Sequence, residues 1–185
     1  DIFDRIEKEN GKRDRRWRVE HAQHVQNEDF RRFKDLNIIS SMQTFHCIDD
    51  ARWCEDRIGK ERCKTSYAWK TFADLEVPLV FGSDWTVAPL DPLTGIDAAV
   101  NRIPVGEKKS WYPEQRISVE EAVKAYTSNP AYAAFEETEK GTIAPGKLAD
   151  CVELSDNLFE IEPEEIKNVE VEATIFDGKV VYTKD

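Results

Sequence analysis

Three short segments in the first half of the chain have the pattern of strands, and each is followed by polar residues. They cover residues 17–20, 38–42 and 79–81, and they are rich in apolar, β-branched and aromatic side chains. Such segments are too short for stable helices and predict strands buried in a sheet. Because helical patterns lie between them, the order strand, helix, strand, helix, strand predicts parallel βαβ units and an α/β fold.

Helices are predicted where apolar residues recur every three or four positions or where capping residues mark a helix start. The predicted helices are residues 2–11, 28–36 with Asn27 as N-cap, 66–75, 93–101 with Pro92 in the first turn, 118–127 opened by a Ser118–Glu121 capping box, and 131–135 after a break at Asn129-Pro130. Residues 43–63 lack such a pattern and are predicted to form a long connection.

From Gly141 onward the pattern changes to turns and short strands. A short strand is predicted within 141–154, a helical turn at 163–168, and strands at 169–176 and 179–182. Asp177-Gly178 between the last two is a type I′ hairpin signal. We therefore predict two domains, residues 1–140 and residues 141–185, the second being a small β-unit.

Polar side chains with metal-binding chemistry follow all three predicted parallel strands. They are His21, the 43–46 stretch with Gln43 and His46, and Asp84. Parallel strands joined by right-handed crossovers end on one side, where α/β sites collect, so these side chains should share one rim. Imidazole and carboxylate groups suit a divalent metal that activates water. An alternative for Asp84 is that it caps the next helix.

The charge balance argues against a nucleic-acid partner. The chain has 26 Lys and Arg against 37 Asp and Glu, a net charge of −11, which repels phosphate backbones. No apolar run approaches the ~20 residues of a membrane span, so no membrane association is predicted. The first residues show neither a signal-peptide pattern nor an initiator Met, so we expect a segment of a longer protein.

The four cysteines, Cys47, Cys54, Cys63 and Cys151, contain no C-x-x-C pair. A zinc site made by the first three with His46 is disfavoured, because gaps of six and eight residues do not match the short hairpin spacing of structural zinc ligands. Free thiols in a reducing compartment are the simpler interpretation, and they predict a cytoplasmic protein.

Five motifs in order give the chain a specific resemblance. They are R-V-E-H-A-Q at 18–23, S-M-Q-T-F-H at 41–46, F-G-S-D-W at 81–85, A-Y-T-S-N-P-A at 125–131 and G-T-I-A-P-G-K-L-A-D at 141–150. Together they resemble the C-terminal portion of the amidohydrolase superfamily. The branch is that of the metal-dependent amidohydrolases that includes N-substituted formamide deformylases, some relatives being labelled exoenzyme-regulatory protein.

The resemblance implies a fold and a set of site residues. The fold would be the C-terminal part, about strands six to eight, of a metal-dependent hydrolase (β/α)₈ TIM barrel, plus part of a small composite β-sandwich. His21 would be the metal ligand after strand six. Asp84, after strand eight, would ligate a metal and act as the catalytic acid/base. Gln43 and His46 would border the substrate, and Trp85 would either wall the pocket or pack the rim.

The resemblance also implies what this chain lacks. The family's H-x-H after strand one, its bridging residue on strand four and its His after strand five are absent and would lie upstream. The intact protein is thus expected to hydrolyse carbon–nitrogen bonds of a small non-peptide amide or N-formyl substrate, with one or two divalent ions, zinc being favoured. This chain alone should be inactive, bind metal weakly or not at all, and self-associate. The alternative is a catalytically silent regulatory or scaffold protein that retains the barrel.

Overall fold

A computed structural model describes residues 2–184 and contains a parallel sheet of three strands. The strands are β1 (Arg18–Glu20), β2 (Ile39–Gln43) and β3 (Leu79–Gly82), in the spatial order β1-β2-β3. Glu20 pairs with Ser41, and Gln43 pairs with Gly82, so the three strands end at the same edge. The predicted parallel arrangement is confirmed.

Nine α-helices in residues 2–184 accompany the strands. They are α1 (Ile2–Asn10), α2 (Asn27–Asp35), α3 (Thr44–Asp50), α4 (Cys54–Ile58), α5 (Lys60–Cys63), α6 (Trp69–Asp74), α7 (Pro92–Asn101), α8 (Val119–Tyr126) and α9 (Ser128–Ala133), with 3₁₀ turns at Pro113–Gln115 and Pro163–Asn168. α2 connects β1 to β2, and α3 to α6 connect β2 to β3.

The prediction of a long connection without helices over residues 43–63 was wrong, because most of this segment is helical. α3, α4 and α5 span only seven, five and four residues. Helices of one or two turns are too short to show a clear 3.6-residue period, which is why the pattern was missed. Gly59, with φ of 82°, separates α4 from α5.

Two predicted helix starts also differ from the structure. Asn27 is the first residue of α2 rather than its cap, and Gln26 holds the N-cap position without a side-chain hydrogen bond. The helix predicted from residue 66 begins at Trp69. Ser66 and Tyr67 instead lie buried in extended or left-handed backbone, Tyr67 having φ of 50°.

The predicted break at Asn129-Pro130 lies earlier, at Thr127, whose φ and ψ are −127° and −82°. Pro130 is the third residue of α9 and lies in its first turn. Backbone N–H groups of the first turn have no acceptor within the helix, so a proline, which lacks an N–H, is tolerated there. The Ser118–Glu121 capping box at the start of α8 is confirmed.

The helix after β3, α7, is capped by Asp91, whose carboxylate accepts hydrogen bonds from the N–H groups of Leu93 and Thr94. Asp84 therefore does not cap this helix.

The C-terminal residues form a second, antiparallel sheet. Its strands are β4 (Cys151–Leu154), β5 (Val171–Phe176) and β6 (Lys179–Thr183). Asp177 and Gly178 have φ of 51° and 70°, as the type I′ hairpin requires. Between β4 and β5, Leu158, Ile166 and Val169 are buried in the same apolar cluster as the helices around the first sheet. The core is thus continuous across residue 141, and the division into domains stays a prediction.

A chain of aromatic contacts forms the centre of the core. Phe30 and Phe33 of α2 each lie 4.9 Å, between ring centroids, from Phe72 of α6. Trp69 of α6 and Phe81 of β3 are 5.7 Å apart, and Phe81 is 5.7 Å from Tyr126 of α8. Such edge-on pairs add about 0.5–1.5 kcal/mol each beyond area burial. They fix α2, α6 and α8 against the parallel sheet.

Arg102, at the C-terminal end of α7, is completely buried. Its guanidinium donates to the carbonyl oxygens of Trp111 at 2.9 Å, Tyr67 at 2.8 Å and Ser66 at 3.4 Å, and it lies 4.5 Å from the centroid of the Trp69 ring. Burial lowers the pKa of this guanidinium. The carbonyl acceptors and the ring face compensate the lost hydration of a charge that would otherwise be costly to bury. Arg102 thereby holds the 66–67 segment in place.

Arg16 connects the segment before β1 to the segment after α9. Its guanidinium pairs with both carboxylate oxygens of Glu137, at 2.6 and 2.8 Å, and stacks about equally on the rings of Tyr132 and Phe135, 3.9 and 4.0 Å from their centroids. The hydrogen bond from Arg16 lowers the pKa of Glu137 to about 2. The pair therefore stays ionised in neutral and mildly acidic solution and is lost only as the pH falls toward 2.

Both edges of the parallel sheet are open, and apolar side chains are exposed. Within residues 2–184, β1 and β3 pair only with β2. In the antiparallel sheet, every residue of the edge strand β6 is exposed. Val87, Ile143 and Phe176 are more than half exposed. No helix in the described part of the chain is long and apolar enough to cross a membrane. Unpaired edges with apolar neighbours favour pairing with another chain.

Gly95 of α7 allows Tyr126 to approach closely, and this predicts the effect of Gly95→Ala. An added Cβ would lie 1.8 Å from the Tyr126 hydroxyl oxygen and 2.9 Å from Thr44 Oγ1, two atoms that are hydrogen-bonded at 2.9 Å. The clash outweighs the ~1 kcal/mol gain in helix propensity. We expect a net destabilisation of about 1–3 kcal/mol, measured as a lower melting temperature.

Two further variants make this test specific. Gly95→Ala combined with Tyr126→Phe removes the nearest atom and should recover part of the loss. Gly82→Ala, where an added Cβ meets nothing within 4 Å, should leave the melting temperature unchanged. A Gly95→Ala variant as stable as the wild type would contradict the packing described here.

We expect the isolated 185-residue chain to self-associate through its open sheet edges. Light scattering at high concentration should give a mass above the 21.3 kDa of one chain. Val181→Lys places a charge on the exposed strand β6 and should lower that mass, because an edge charge opposes strand pairing. A monomeric mass for the unmodified chain would show that the sheet edges do not associate.

Candidate metal centre

Three loops at the carboxyl edge of the parallel sheet carry the predicted site residues. His21 directly follows β1, Gln43 ends β2 and is the N-cap of α3, and Asp84 lies two residues beyond β3. His46 is the third residue of α3. Because β2 is the middle strand, the start of α3 lies between the loops that carry His21 and Asp84.

The structure brings His21, His46 and Asp84 together. One ligand atom from each, an imidazole nitrogen or a carboxylate oxygen, lies within 4.8 Å of the others. The two imidazole rings are nearly parallel, with centroids 6.0 Å apart and planes inclined by 10°. His21 and Asp84 are exposed and His46 is half-buried. The predicted convergence of positions 21 and 84 is therefore observed, and His46 joins them.

The backbone at both outer positions is in the left-handed region. His21 has φ of 68° and is the centre of a three-residue turn closed by the hydrogen bond from Ala22 N–H to Glu20 C=O, 3.0 Å. Asp84 has φ of 56°. Such conformations cost about 1–3 kcal/mol for residues other than glycine and cluster at functional sites. Other residues with positive φ, such as Asn37 and Glu76, simply follow helix ends, where this conformation is ordinary.

Two polar atoms beside the cluster are buried without a hydrogen-bond partner in residues 2–184. They are Nε2 of His46 and Oε1 of Gln43, whose side chain is only 8% exposed. Leaving a buried polar group unpaired costs about 1–3 kcal/mol, so such groups are few and need an explanation. A ligand or metal at the cluster would supply the missing partners.

A hydrogen-bonded group behind the cluster connects the His21 loop to α3. Gln23 donates to Asp50 at 3.3 Å, the Tyr67 hydroxyl also donates to Asp50, and Tyr67 N–H donates to the Gln23 carbonyl at 2.7 Å. Burial raises the pKa of the Tyr67 hydroxyl, and Asp50 raises it further, so Tyr67 stays a donor. We did not predict this group from the sequence. The available signal was that Asp50 follows His46 by four residues, which puts both on one face of a helix.

The cluster does not include Trp85, His24 or the buried cysteines. Trp85 is 65% exposed, so in this chain it does not form the wall of an enclosed pocket. His24 is held by Ser66, whose Oγ is 2.8 Å from its Nδ1. Cys54 and Cys63 are buried with sulfur atoms 3.5 Å apart, and all four cysteines are free thiols.

The donor set fits a divalent metal. Two imidazole nitrogens and one carboxylate oxygen form the three-ligand arrangement that catalytic zinc sites use, with a position left for water or substrate. The ligand atoms are close enough that small side-chain rotations bring them around one ion. The unpartnered His46 nitrogen and the fixed backbone of the two outer donors agree with this interpretation.

Comparisons with known proteins give consistent results. A model of the amidohydrolase family matches residues 1–182. Protein LONG AFTER FAR-RED 3 of Arabidopsis thaliana is 40% identical over 183 residues, 98% of this chain and 31% of that protein. N-substituted formamide deformylase of Arthrobacter pascens is 31% identical over 72 residues, 39% of this chain and 13% of that protein.

A solved structure extends the likeness to the fold. A metal-dependent hydrolase of Pyrococcus furiosus, itself uncharacterized, matches with a TM-score of 0.65 and 32% identity, over 79% of this chain and 28% of that one. The likeness is consistent with a part of a TIM-barrel hydrolase. The chain spans about a third of the length of the curated relatives that it matches over nearly all of its own residues.

The group behind the cluster predicts the effect of Tyr67→Phe. Removing the hydroxyl deprives the half-buried Asp50 carboxylate of a donor and leaves the ring packing unchanged. We expect a loss of stability of about 1–3 kcal/mol, measured as a lower melting temperature. Tyr182→Phe, at an exposed position of β6, is the matched control and should change little. Equal melting temperatures for both variants would show that the Tyr67 hydroxyl does not contribute to stability.

Proposed function

Because the chain belongs to the amidohydrolase family, we propose that the intact protein is a metal-dependent hydrolase of carbon–nitrogen bonds in non-peptide amides or N-formyl compounds. The observation that carries the proposal is the convergence of His21, His46 and Asp84 at the carboxyl edge of one parallel sheet. In barrel enzymes this edge is where catalytic groups collect.

We also propose where the strands of this chain lie in the family fold. β1, β2 and β3 would be barrel strands six, seven and eight, and the antiparallel sheet would belong to a small composite β-sandwich. Residues 1–140 and 141–185 would then form parts of two domains. Support comes from the order of the elements and from the three ligand-bearing loops that follow consecutive parallel strands.

The proposed cofactor is a divalent metal, with zinc favoured by the imidazole donors. His21 and Asp84 would hold it from this chain. When bound, such an ion polarises a carbonyl group and lowers the pKa of water to near neutrality. The imidazole of His21 would bind the ion through a nitrogen lone pair, and the carboxylate of Asp84 through an oxygen.

The chain's own residues supply the remaining steps. Asp84 accepts the proton of the attacking water and passes it to the leaving amine, as a general base and then a general acid. Gln43 offers an amide to the substrate from a buried position, and Trp85 would form part of the wall when the mouth of the site is complete.

The proposed substrate is a small amide or N-formyl compound. The likeness to a protein named N-substituted formamide deformylase supports this class. The net charge of −11 disfavours a polyanionic substrate such as nucleic acid. The proposed compartment is the cytoplasm, supported by four free thiols.

We predict that Asp84→Asn in the intact protein abolishes turnover and leaves most of the metal bound. The amide keeps the size of the side chain but cannot accept the proton, so the rate should fall by at least about 100-fold. The measurement is amine release from a small N-substituted formamide, with metal content determined on the same sample.

Asp74→Asn is the matched control, because Asp74 ends α6 in an ion pair with Lys70 away from the cluster. It should retain full activity. Unchanged turnover in Asp84→Asn would end the assignment of Asp84. An intact wild-type protein that binds metal and hydrolyses none of a panel of amides would favour the catalytically silent scaffold instead.

A further inference from the structure

We propose that His46 is a metal ligand, so that this chain by itself holds a divalent cation through His21, His46 and Asp84. The inference rests on the proposed function for the presence of a metal and deepens it by assigning a third donor. It replaces the expectation, drawn from the sequence, that two ligands leave the chain with little or no affinity for metal.

The position of His46 follows from the sheet. β2 lies between β1 and β3, and His46 is three residues beyond its end, in the first turn of α3. The imidazole therefore reaches the edge midway between the two outer loops. Its ligand atom lies within 4.8 Å of those of both His21 and Asp84. A side chain that only bordered the substrate would not need to approach both metal-binding groups.

The hydrogen-bonding state of His46 favours the same role. Its Nε2 is buried and has no partner in residues 2–184, although the residue itself is only half-buried. Ligation through this nitrogen would remove an unpaired polar group that costs about 1–3 kcal/mol. His24, the other histidine near this edge, instead has a partner at 2.8 Å in Ser66.

The support behind His46 keeps its distance to His21 fixed. Asp50, one turn further along α3, accepts from Gln23 of the His21 loop and from Tyr67. The loop that carries His21 and the helix that carries His46 are thus joined by one hydrogen-bonded group. Contacts outside the ligand shell position metal ligands, and the loss of one typically lowers metal affinity about 10- to 100-fold.

The test is a titration of the 185-residue chain with Co²⁺, followed by the visible absorption of the bound ion. The wild type should bind one equivalent. His46→Gln should raise the dissociation constant by about 10- to 100-fold or more, because it removes a ligand rather than its support. His24→Gln, the matched control, should bind as the wild type does.

A second measurement does not depend on the variant folding. In the Co²⁺-loaded wild type, each ligating imidazole gives one strongly shifted exchangeable N–H proton signal, so two signals are expected. One signal, an affinity unchanged by His46→Gln, or no binding by the wild type would each overturn the proposal. If His46 only contacts substrate, the variant should raise KM in the intact enzyme at unchanged metal affinity.

These outcomes are separate from the fate of the proposed function. A chain that binds Co²⁺ through three donors, within an intact protein that hydrolyses no amide, would keep the ligand assignment and remove the hydrolase. An active enzyme whose chain gives one imidazole signal would keep the hydrolase and remove the assignment of His46 as a ligand.

Discussion

The hydrogen-bond register of three parallel strands is the constraint on which the site depends. Gln43 opposite Gly82 puts the ends of β2 and β3 level, and Glu20 opposite Ser41 puts the end of β1 two residues before them, at the same edge. A shift of one residue in either pairing would turn alternate side chains to the opposite face and separate the donors. The aromatic contacts of α2, α6 and α8 hold this register. The packing of the core therefore determines the distance between His21 and Asp84, which are 63 positions apart in sequence. The strained backbone of His21 and Asp84 is tolerated for the same reason, because each is anchored by a paired strand on one side.

Arg102 extends this constraint from the core to the site. Its guanidinium fixes the carbonyls of Ser66 and Tyr67, Tyr67 donates to Asp50, and Asp50 is on the helix that carries His46. An isolated buried charge would destabilise the fold, and here backbone acceptors and the Trp69 ring compensate for it. The result is a path of hydrogen bonds from the end of α7 to Asp50, the last residue of the helix that carries His46. Precision at the cluster thus comes from polar groups buried one layer below it.

The sequence predicted the parts of this structure that local pattern controls. The three parallel strands, the hairpin at Asp177-Gly178 and the capping box at Ser118 follow from composition and short-range spacing, and the placement of His21 and Asp84 follows from the rule that parallel strands end together. Helices α3 to α5 were missed because four to seven residues hold too little periodicity, and their stability comes from burial of residues such as Cys47 and Cys54. With α3 taken as a connection, the helical relation of His46 to Asp50 was lost. The role of Arg102 is not visible in sequence, since a buried arginine with carbonyl acceptors has the same local pattern as an exposed one.

The ligands and the enclosure of the site have different origins. His21 and Asp84 are exposed and Trp85 is 65% exposed, whereas the proposed reaction would require bulk water to be kept from the reacting groups. The donors are fixed by strand register and by buried hydrogen bonds within this chain, whereas the walls that would cover them lie outside the cluster. Substrate choice depends on those walls, whereas the positions of the metal-binding donors do not depend on them. Loops around the mouth of such a site can therefore vary without moving the donors, and loop variation of this kind lets one fold support many chemistries.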